Sequence, residues 1–181
     1  MTPGDSMRAV AGDGVMLEPQ TTAHAEAMFV VLSDPALYAY ENAPPPSLDW
    51  LRERFALLES RRSADGAEQW LNWVVRLPTS EFAGYVQATI HPDGRAAIAY
   101  EISSAYWGRG LARKAVEAMI AELADHYRVH TLTAVLKCEN RRSLHLLERL
   151  GFSPGSADMH GRFGVELDER LMQRQIRKES P

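Results

Sequence analysis

Apolar residues alternate with polar ones in some segments of this chain and recur every three or four positions in others, which predicts a mixture of strands and helices. In chain order, the pattern predicts a strand at 15–19, helices at 22–34 and 48–60, strands at 70–77, 82–91 and 95–103, a helix at 110–127, a strand at 131–136, a helix at 140–152 and a last strand at 165–174. The turn His-Pro-Asp-Gly-Arg at 91–95 joins two of these strands as an antiparallel hairpin. This order favours an α/β (α+β) fold with a central sheet flanked by helices.

Local signals mark the ends of the chain and of two helices. Residues 1–13 contain few apolar residues and several turn formers, so we expect a flexible N-terminal tail followed by a single domain at 14–178. Ser47 follows three consecutive prolines and is placed to cap the second helix. Gly151 is placed to end the helix at 140–152.

Composition and charge narrow the class of protein. The chain has 181 residues, 45% of them hydrophobic, which suits one domain with a sizeable core. It has neither an apolar stretch of bilayer length nor a signal peptide, so we expect a cytoplasmic protein that does not bind membranes. Cys138 is the single cysteine and the six histidines are scattered, so we predict no metal site. The net charge of −4 predicts no nucleic-acid partner.

The segment Ala-Tyr-Trp-Gly-Arg-Gly-Leu-Ala-Arg-Lys-Ala at 105–115 leads from a strand into a helix through two glycines. Unpaired N–H groups at a helix start attract anions, and a missing Cβ lets a phosphate approach the backbone. Arg109, Arg113 and Lys114 add positive charge nearby. By itself the turn fits simple strand-to-helix geometry equally well, because it completes neither the Walker pattern nor the dinucleotide fingerprint.

A second motif, Asn-x-x-Ser followed by Leu-Gly-Phe, lies at 140–152, one helix and one strand after the glycine turn at 107–112. With both motifs in this order, the chain resembles the GNAT superfamily of acyl-CoA-dependent N-acetyltransferases over about residues 14–175. Trp107 stands where most members carry Gln or Arg. With the preceding Tyr106, it gives the sequence Tyr-Trp-Gly, which resembles the motif common in the RimJ/RimL-like branch, named for ribosomal-protein acetylation. The resemblance implies the GNAT fold, whose central sheet is mixed and mostly antiparallel.

The resemblance also implies acetyl-CoA as co-substrate and assigns its site. Amides of the glycine turn would hold the CoA pyrophosphate, while the preceding strand and Asn140 would hold the pantetheine arm, which pairs like an added strand. The implied CoA-binding residues are Tyr100, Ile102, Trp107, Gly108, Arg109, Gly110, Leu111, Ala112, Arg113, Asn140 and Ser143.

Acetyl transfer to an amine needs a base, because an alkylammonium group has a pKa of about 10 in water. Glu101 is the first choice, since burial in an apolar strand would raise the pKa of its carboxyl group. Strand alternation also allows Glu101 to face solvent, and Glu41 and His91 are the lower choices. A backbone N–H at Ile102 would stabilise the oxyanion.

The acid that protonates the leaving thiolate is an open question. Many members of the family use a tyrosine seven residues after the Asn, where this chain has Leu147. Ser143 is the candidate donor, as proposed for RimL-like relatives, and a helix-start serine that binds a backbone amide is the alternative. Cys138 lies close by, but direct transfer in the family favours a small buried residue there over a covalent intermediate.

The acceptor site is expected in the connection between the first two helices. Its candidate residues are Tyr38, Tyr40, Glu41, Asp49 and Trp50, with Tyr40, Glu41 and Trp50 as the predicted substrate-binding residues. Core packing accounts for these aromatic residues equally well.

We predict direct acetylation of a primary amine, with a peptide or protein N-terminus as the favoured acceptor. The alternatives are a small amine, such as a polyamine or an aminocyclitol antibiotic, and a non-catalytic CoA-binding module. A peptide acceptor predicts an open trough, and a small-amine acceptor predicts an enclosed acidic pocket. We expect the protein to be a monomer or a homodimer.

Overall fold

The fold is built from eight strands and five helices within residues 7–176, the part of the chain that the computed structural model describes. In chain order they are β1 (Val10–Gly12), β2 (Val15–Pro19), α1 (Ala25–Leu32), α2 (Leu48–Leu58), β3 (Gln69–Arg76), β4 (Phe82–Ile90), β5 (Arg95–Ile102), α3 (Leu111–Asp125), β6 (Thr131–Lys137), α4 (Arg141–Arg149), β7 (Ser153–Pro154), α5 (Ala157–Arg162) and β8 (Glu169–Gln175). Short 3₁₀ turns lie at Thr22–His24, Pro35–Tyr38 and Ser104–Tyr106.

The strands form one sheet in the order β1-β2-β3-β4-β5-β6-β8-β7. β5 and β6 are parallel, and the other neighbouring pairs among the described strands are antiparallel. The predicted mixed, mostly antiparallel sheet flanked by helices is therefore confirmed. β5 pairs with β6 only from Arg95 to Ala97, so the two strands separate beyond that point and open the middle of the sheet.

The two faces of the sheet bury different helices. One face packs against α3 and α4 in the larger core, where the apolar stripe of α3 is buried as its spacing predicts. The other face packs against α1 and α2 in a smaller core around Met28, Phe55 and Val74. Ser47 caps α2 as predicted, with its hydroxyl oxygen accepting the N–H of Trp50 at 3.1 Å. Each helix pair thus covers one face and leaves the central opening accessible.

The predicted tail extends too far along the chain. Val10–Gly12 forms β1, and the segment before it is attached to the core through Arg8. Arg8 makes an ion pair with the buried carboxylate of Glu122 at 2.7 Å, and its carbonyl accepts the indole N–H of Trp73 at 3.1 Å. These contacts order residues that composition alone assigns to a tail. Residues 1–6 and 177–178, which complete the predicted tail and domain, lie outside the described residues.

The C-terminal part also differs from the prediction. The last strand begins only at Glu169, and the sequence pattern predicts neither β7 nor α5. The amino group of Lys137 contacts the carboxylates of Glu166 (3.2 Å), Asp168 (3.2 Å) and Glu169 (3.1 Å). These ion pairs hold the chain in a turn where the pattern predicts an uninterrupted strand. Within residues 7–176, none of the helices has the length and apolarity needed to cross a membrane.

Candidate active site

β5 presents an unpaired edge where it separates from β6. The N–H of Ser103 donates to the carbonyl of Ala83 at 2.8 Å, which fixes the phase of the hydrogen bonds between β5 and β4. In an antiparallel pair only every second residue bonds to a given neighbour. The backbone groups of Ile98, Tyr100 and Ile102 therefore point away from β4, toward the opening between β5 and β6. An extended ligand can pair with this edge as a strand would.

The opening forms a cavity of about 140 Å³, which we call the strand gap. It brings together many of the predicted CoA-binding residues: Tyr100, Ile102, Trp107, Ala112, Asn140 and Ser143. These residues are brought together only by the fold, because β5, the glycine turn and the start of α4 are separate segments of the sequence that meet at this opening.

Trp107 connects the end of β5 to α4. Its indole N–H donates to the carbonyl of Ile102 at 2.7 Å, and the guanidinium carbon of Arg142 lies 3.2 Å from the centre of its ring. A cation placed over an indole face is attracted by the negative potential of the ring. The residue that departs from the usual family motif thus forms one wall of the strand gap.

The glycine turn adopts a conformation that leaves its backbone accessible. Gly108 and Gly110 have φ angles of +75° and +73°, and a Cβ added to either would meet no atom within 4 Å. Gly110 is the N-cap of α3, and its carbonyl accepts the N–H of Lys114 at 3.2 Å. The N–H groups of the first helical turn have no partner within the helix, so they are available to an anion.

The cations near this turn differ in their surroundings. Arg113 pairs with Glu117 at 2.8 Å, and Lys114 pairs with Asp13 at 3.0 Å. Arg109 instead lies over the ring of Tyr106, at 5.5 Å from its centre. Part of the positive charge that the sequence suggests is therefore offset by carboxylates on α3 and on the turn between β1 and β2.

The hydroxyl groups of Ser143 and Tyr100 share a hydrogen bond of 2.8 Å across the strand gap. The helix-start amide of Ser143 is satisfied separately, because it donates to Oδ1 of Asn140, the N-cap of α4, at 3.1 Å. Burial raises the pKa of the Tyr100 phenol to about 12. Leu147, at the position of the tyrosine found in many family members, is 1% exposed and belongs to the core. No pattern in the sequence indicates that the Tyr100 side chain meets Ser143.

Glu101 lies where the strand gap meets a second cavity and lines both of them. Partial burial raises the pKa of its carboxyl group to about 7. The positive charge of Arg142 acts in the opposite direction, while the carboxylates of Glu41 and Asp34 raise this pKa further. Glu101 is thus a carboxyl group that exchanges its proton near neutral pH.

The second cavity has a volume of about 430 Å³ and lies between α1, α2 and the sheet, and we call it the α1–α2 cavity. The predicted substrate-binding residues Tyr40, Glu41 and Trp50 line it, and all three are exposed, so its mouth is open to solvent. Its floor contains three amide side chains that the sequence analysis missed, namely Gln20, Asn72 and Gln87. The sequence feature that could have indicated them is a single amide residue within an otherwise apolar strand, as in Trp-Leu-Asn-Trp-Val at 70–74.

Asp34 fixes the connection that carries the tyrosines. Its carboxylate accepts the N–H of Ala36 at 3.0 Å and the N–H of Ser104 at 3.1 Å. The first bond caps the 3₁₀ turn Pro35–Tyr38, and the second attaches that turn to the segment just after β5. The wall of the α1–α2 cavity is thereby held in place relative to Glu101.

Three other candidates from the sequence lie elsewhere. His91 pairs with Glu68 at 3.2 Å, and Asp49 pairs with Arg52 at 2.9 Å on the surface of α2. The N–H of Cys138 donates to the carbonyl of Asp168 at 2.8 Å. Among the residues that the structure describes, none of these three lines the strand gap or the α1–α2 cavity.

Comparison with known proteins agrees with this arrangement. Residues 15–153 match the family described as Acetyltransferase (GNAT) domain. The structure is similar to ribosomal-protein-S5-alanine acetyltransferase from Vibrio fischeri, with a TM-score of 0.76 and 16% identity over 97% of this chain and 100% of the other. It is also similar to RimL, the ribosomal L7/L12 alpha-N-protein acetyltransferase in complex with coenzyme A, with a TM-score of 0.77 and 16% identity over 93% of this chain and 98% of the other.

A third similar structure is a spermidine N-acetyltransferase chimera from Vibrio cholerae and hSSAT, with a TM-score of 0.72 and 21% identity over 90% of this chain and 96% of the other. At these levels of identity the solved structures share the fold with this chain, while their acceptors differ from one another.

Proposed function

Because this chain belongs to the GNAT family and is an acyl-CoA N-acyltransferase, we propose that it transfers an acetyl group from acetyl-CoA directly to the α-amine of a peptide or protein, as RimJ/RimL-like enzymes do. The observation that carries this proposal is the position of Glu101, at the junction of the strand gap and the α1–α2 cavity, with a carboxyl pKa of about 7. A thioester in one cavity and an amine in the other would meet at this carboxyl group.

The strand gap and the glycine turn fit acetyl-CoA. We propose that the pantetheine arm pairs with the backbone of Tyr100 at the open edge of β5 and lies against Trp107 and Asn140. At Ile102 only the N–H is available, because the Trp107 indole already binds the Ile102 carbonyl. The pyrophosphate would bind the amides from Gly108 to Arg113, where both glycines leave open space above the backbone. Acetyl-CoA supplies an activated acyl group, and the N–H of Ile102 at the strand edge is placed to stabilise its carbonyl oxygen as negative charge develops.

Proton transfer favours an α-amine over a lysine or polyamine. An α-ammonium group has a pKa of about 8 and a lysine ammonium group one of about 10. Moving the proton to a carboxylate with a pKa of about 7 is therefore uphill by roughly 1 kcal/mol for the first and roughly 4 kcal/mol for the second. Glu101 is matched to the weaker base, which is the terminal amine of a peptide.

The leaving thiolate would be stabilised from the opposite side of the strand gap. The hydroxyl groups of Ser143 and Tyr100, 2.8 Å apart, lie on the wall of this cavity. With Tyr100 hydrogen-bonded to Ser143, one hydroxyl hydrogen remains to be donated toward the sulfur. We propose that Ser143 makes this contact and that Tyr100 holds it in the required orientation.

The charges of the α1–α2 cavity disfavour a polyamine. A polycation needs several carboxylates, and the lining supplies Glu41 and Glu101 with Arg54 opposing them. Tyr40, Glu41 and Trp50 at the mouth are exposed, which supports an open trough more than a closed acidic pocket. A peptide with one terminal charge suits this lining better.

Acetylation of matched acceptors tests the proposal. The enzyme is incubated with acetyl-CoA and one of three acceptors: a peptide with a free N-terminus, the same peptide with a blocked N-terminus and a free lysine, or spermidine. Thiol release and the mass of the product are measured. We expect acetylation of the free N-terminus to be fastest. If CoA binds and the free N-terminus is not acetylated, or is acetylated more slowly than the lysine or spermidine, the proposal is wrong.

A further inference from the structure

Three amide side chains form a row across the floor of the α1–α2 cavity. The N–H of Gln20 donates to the carbonyl of Asn72 at 2.9 Å, so Gln20 continues β2 beside β3. Asn72 lies directly opposite Gln87 in the pairing of β3 with β4. The three residues, which we call the amide row, therefore lie on neighbouring strands and share the face of the sheet that lines the cavity.

Two members of the amide row are buried, and the side chain of one of them is not satisfied by the protein alone. Gln20 and Asn72 are each 4% exposed. The side-chain nitrogen Nε2 of Gln20 is buried and has no hydrogen-bond partner within the described residues. Buried amide groups are almost always paired, because an unpaired N–H group loses its hydrogen bonds to water. An N–H donor without a partner in the floor of a cavity points to a ligand with a carbonyl oxygen.

Gln87, at one end of the amide row, lies one step along the sheet from Glu101, the proposed reaction centre. Glu101 is opposite Tyr85 on β4, and Gln87 is the next residue of β4 on the same face. Two residues along a strand span about 7 Å. An extended peptide advances about 3.5 Å per residue. Gln87 is therefore the member of the row nearest to Glu101, and Asn72 and Gln20 follow on the next two strands, at about 5 Å per strand. A peptide whose amine is at Glu101 would place its first peptide group near Gln87 and its second near Asn72, where the side chain of Gln20 can reach it.

The cavity continues in the direction that such a peptide would take. A further hollow of about 230 Å³ shares Arg54, Asn72 and Gln87 with the α1–α2 cavity and extends to Trp70 and Thr89. An extended acceptor can leave along this path beneath α2. A simple amine or a polyamine would leave the amide row unpaired, and a polyamine would also meet the positive charge of Arg54.

We propose that Gln20, Asn72 and Gln87 bind the first peptide groups of the acceptor, so that the enzyme selects peptides by their backbone and not only by their amine. This inference rests on the proposed function, because it assumes that the amine reacts at Glu101. Gln20 donates its free N–H to a peptide carbonyl, and the amides of Asn72 and Gln87 can donate to and accept from a peptide group.

A pair of acceptors isolates the peptide group. One is a dipeptide amide with a free α-amine, and the other is its trans-alkene isostere, which keeps the shape but lacks the first peptide group. We measure kcat/KM for both with the wild type, with Gln20→Met and with Gln87→Met. Gln173→Met, on β8 outside the cavity, is the matched control. Comparing the ratio of the two acceptors between variants removes the difference in their amine pKa values.

We expect the wild type to prefer the dipeptide amide by at least tenfold, with about tenfold from one well-placed hydrogen bond and the remainder from the lower pKa of its amine. Gln87→Met should reduce this preference several-fold, and Gln173→Met should retain it. Gln20→Met should lower kcat/KM for both acceptors, because both keep the second peptide group. Because Nε2 of Gln20 has no partner to lose, Gln20→Met should keep the melting temperature of the wild type or raise it.

Three results would overturn the inference or its premise. Equal kcat/KM values for both acceptors in the wild type would exclude the amide row as a subsite while leaving acetyl transfer intact. Equal losses for both acceptors in Gln87→Met, or an unchanged kcat/KM for both acceptors in Gln20→Met, would assign the row a structural role. Failure to acetylate either acceptor, with CoA bound, would contradict the proposed function itself.

Discussion

Tyr100 on β5 and Ser143 on α4 are joined by a hydrogen bond of 2.8 Å between their hydroxyl groups. The bond crosses the strand gap close to the proposed position of the thioester. The backbone groups of Tyr100 also face this opening. Ser143 is thereby oriented by a neighbour 43 residues away in sequence, rather than by its own helix.

Removal of the Ser143 hydroxyl is the direct test of its role. We expect Ser143→Ala to lower kcat by about tenfold, the effect of one hydrogen bond to a developing charge, with a smaller effect on KM for acetyl-CoA. Ser143→Thr retains the hydroxyl and should keep most of the activity. Tyr100→Phe should lower kcat by less than Ser143→Ala does. Equal rates for the wild type and Ser143→Ala would remove Ser143 from the mechanism.

Arg142 and Arg141 are neighbours on α4 with different predicted effects on the base. The positive charge of Arg142 lowers the pKa of Glu101, so Arg142→Gln should raise that pKa. A base with a higher pKa becomes active at higher pH, so the rising limb of the pH profile of kcat/KM should move to higher pH. Arg141→Gln is the matched control and should leave the limb in place. Equal profiles for the two variants would show that Arg142 does not act on the base.

Gly110 and Gly14 provide a matched pair for the phosphate site. Both have positive φ angles, +73° and +71°, and a Cβ added at either position would meet open space. Substitution by Ala therefore strains the backbone similarly at both, by about 1–2 kcal/mol. We expect Gly110→Ala to weaken CoA binding at least several-fold in calorimetry, because its Cβ lies where the pyrophosphate would approach, and Gly14→Ala to bind CoA normally. Equal dissociation constants would exclude the turn as a pyrophosphate site.

Arg8 and Glu122 test whether the N-terminal segment is part of the fold. Glu122 is buried and relies on Arg8 for its ion pair. A buried carboxylate without its partner is unfavourable, so Arg8→Ala should lower the melting temperature. Adding Glu122→Gln to Arg8→Ala should recover part of the loss. Arg52→Ala, which breaks exposed ion pairs on α2, should have little effect. A similar melting temperature for Arg8→Ala and the wild type would contradict this account.

The elements with a long and regular pattern are the ones that the sequence predicts well. The predicted bounds of β3, β4, β5 and α3 lie within a few residues of the observed ones. Each of these elements has many apolar residues whose alternating or helical spacing places them on one face, so the pattern is clear. β1 escapes prediction because a strand of three residues has too few positions for a pattern. α5 and β7 are also short, and their form depends on distant partners.

The sequence indicates the contiguous motifs of the site most directly. The glycine turn and the Asn140 motif are local, and the structure brings both to the strand gap. The environment of Glu101 is not local, because its pKa depends on Asp34, Glu41 and Arg142 from separate segments. The amide row likewise exists only through strand register, which a single sequence does not specify.

A control on folding precedes the test of the base. The pKa of Glu101 is raised by burial in the folded protein, from 4.5 to about 7. The folded state is thus most stable with respect to this group below pH 4.5, where the Glu101 carboxyl group is neutral. This contribution to stability is lost as the pH rises through about 7 and the group ionises. Glutamine stays neutral, so Glu101→Gln should be at least as stable as the wild type at pH 8. Thermal unfolding checks this, and a clear loss of stability at pH 8 would contradict the assigned environment.

The dependence of kcat/KM on pH for acetylation of a peptide α-amine, measured for the wild type and Glu101→Gln, decides whether Glu101 is the base that deprotonates the acceptor. For the wild type, we predict a rising limb with a midpoint near pH 7, where the Glu101 carboxyl group loses its proton. For Glu101→Gln, we predict the loss of that limb and a rate lower by about 10²- to 10⁴-fold, the usual contribution of a general base. If the two profiles coincide in shape and height, Glu101 is not the base, and the junction of the two cavities is not where the amine loses its proton.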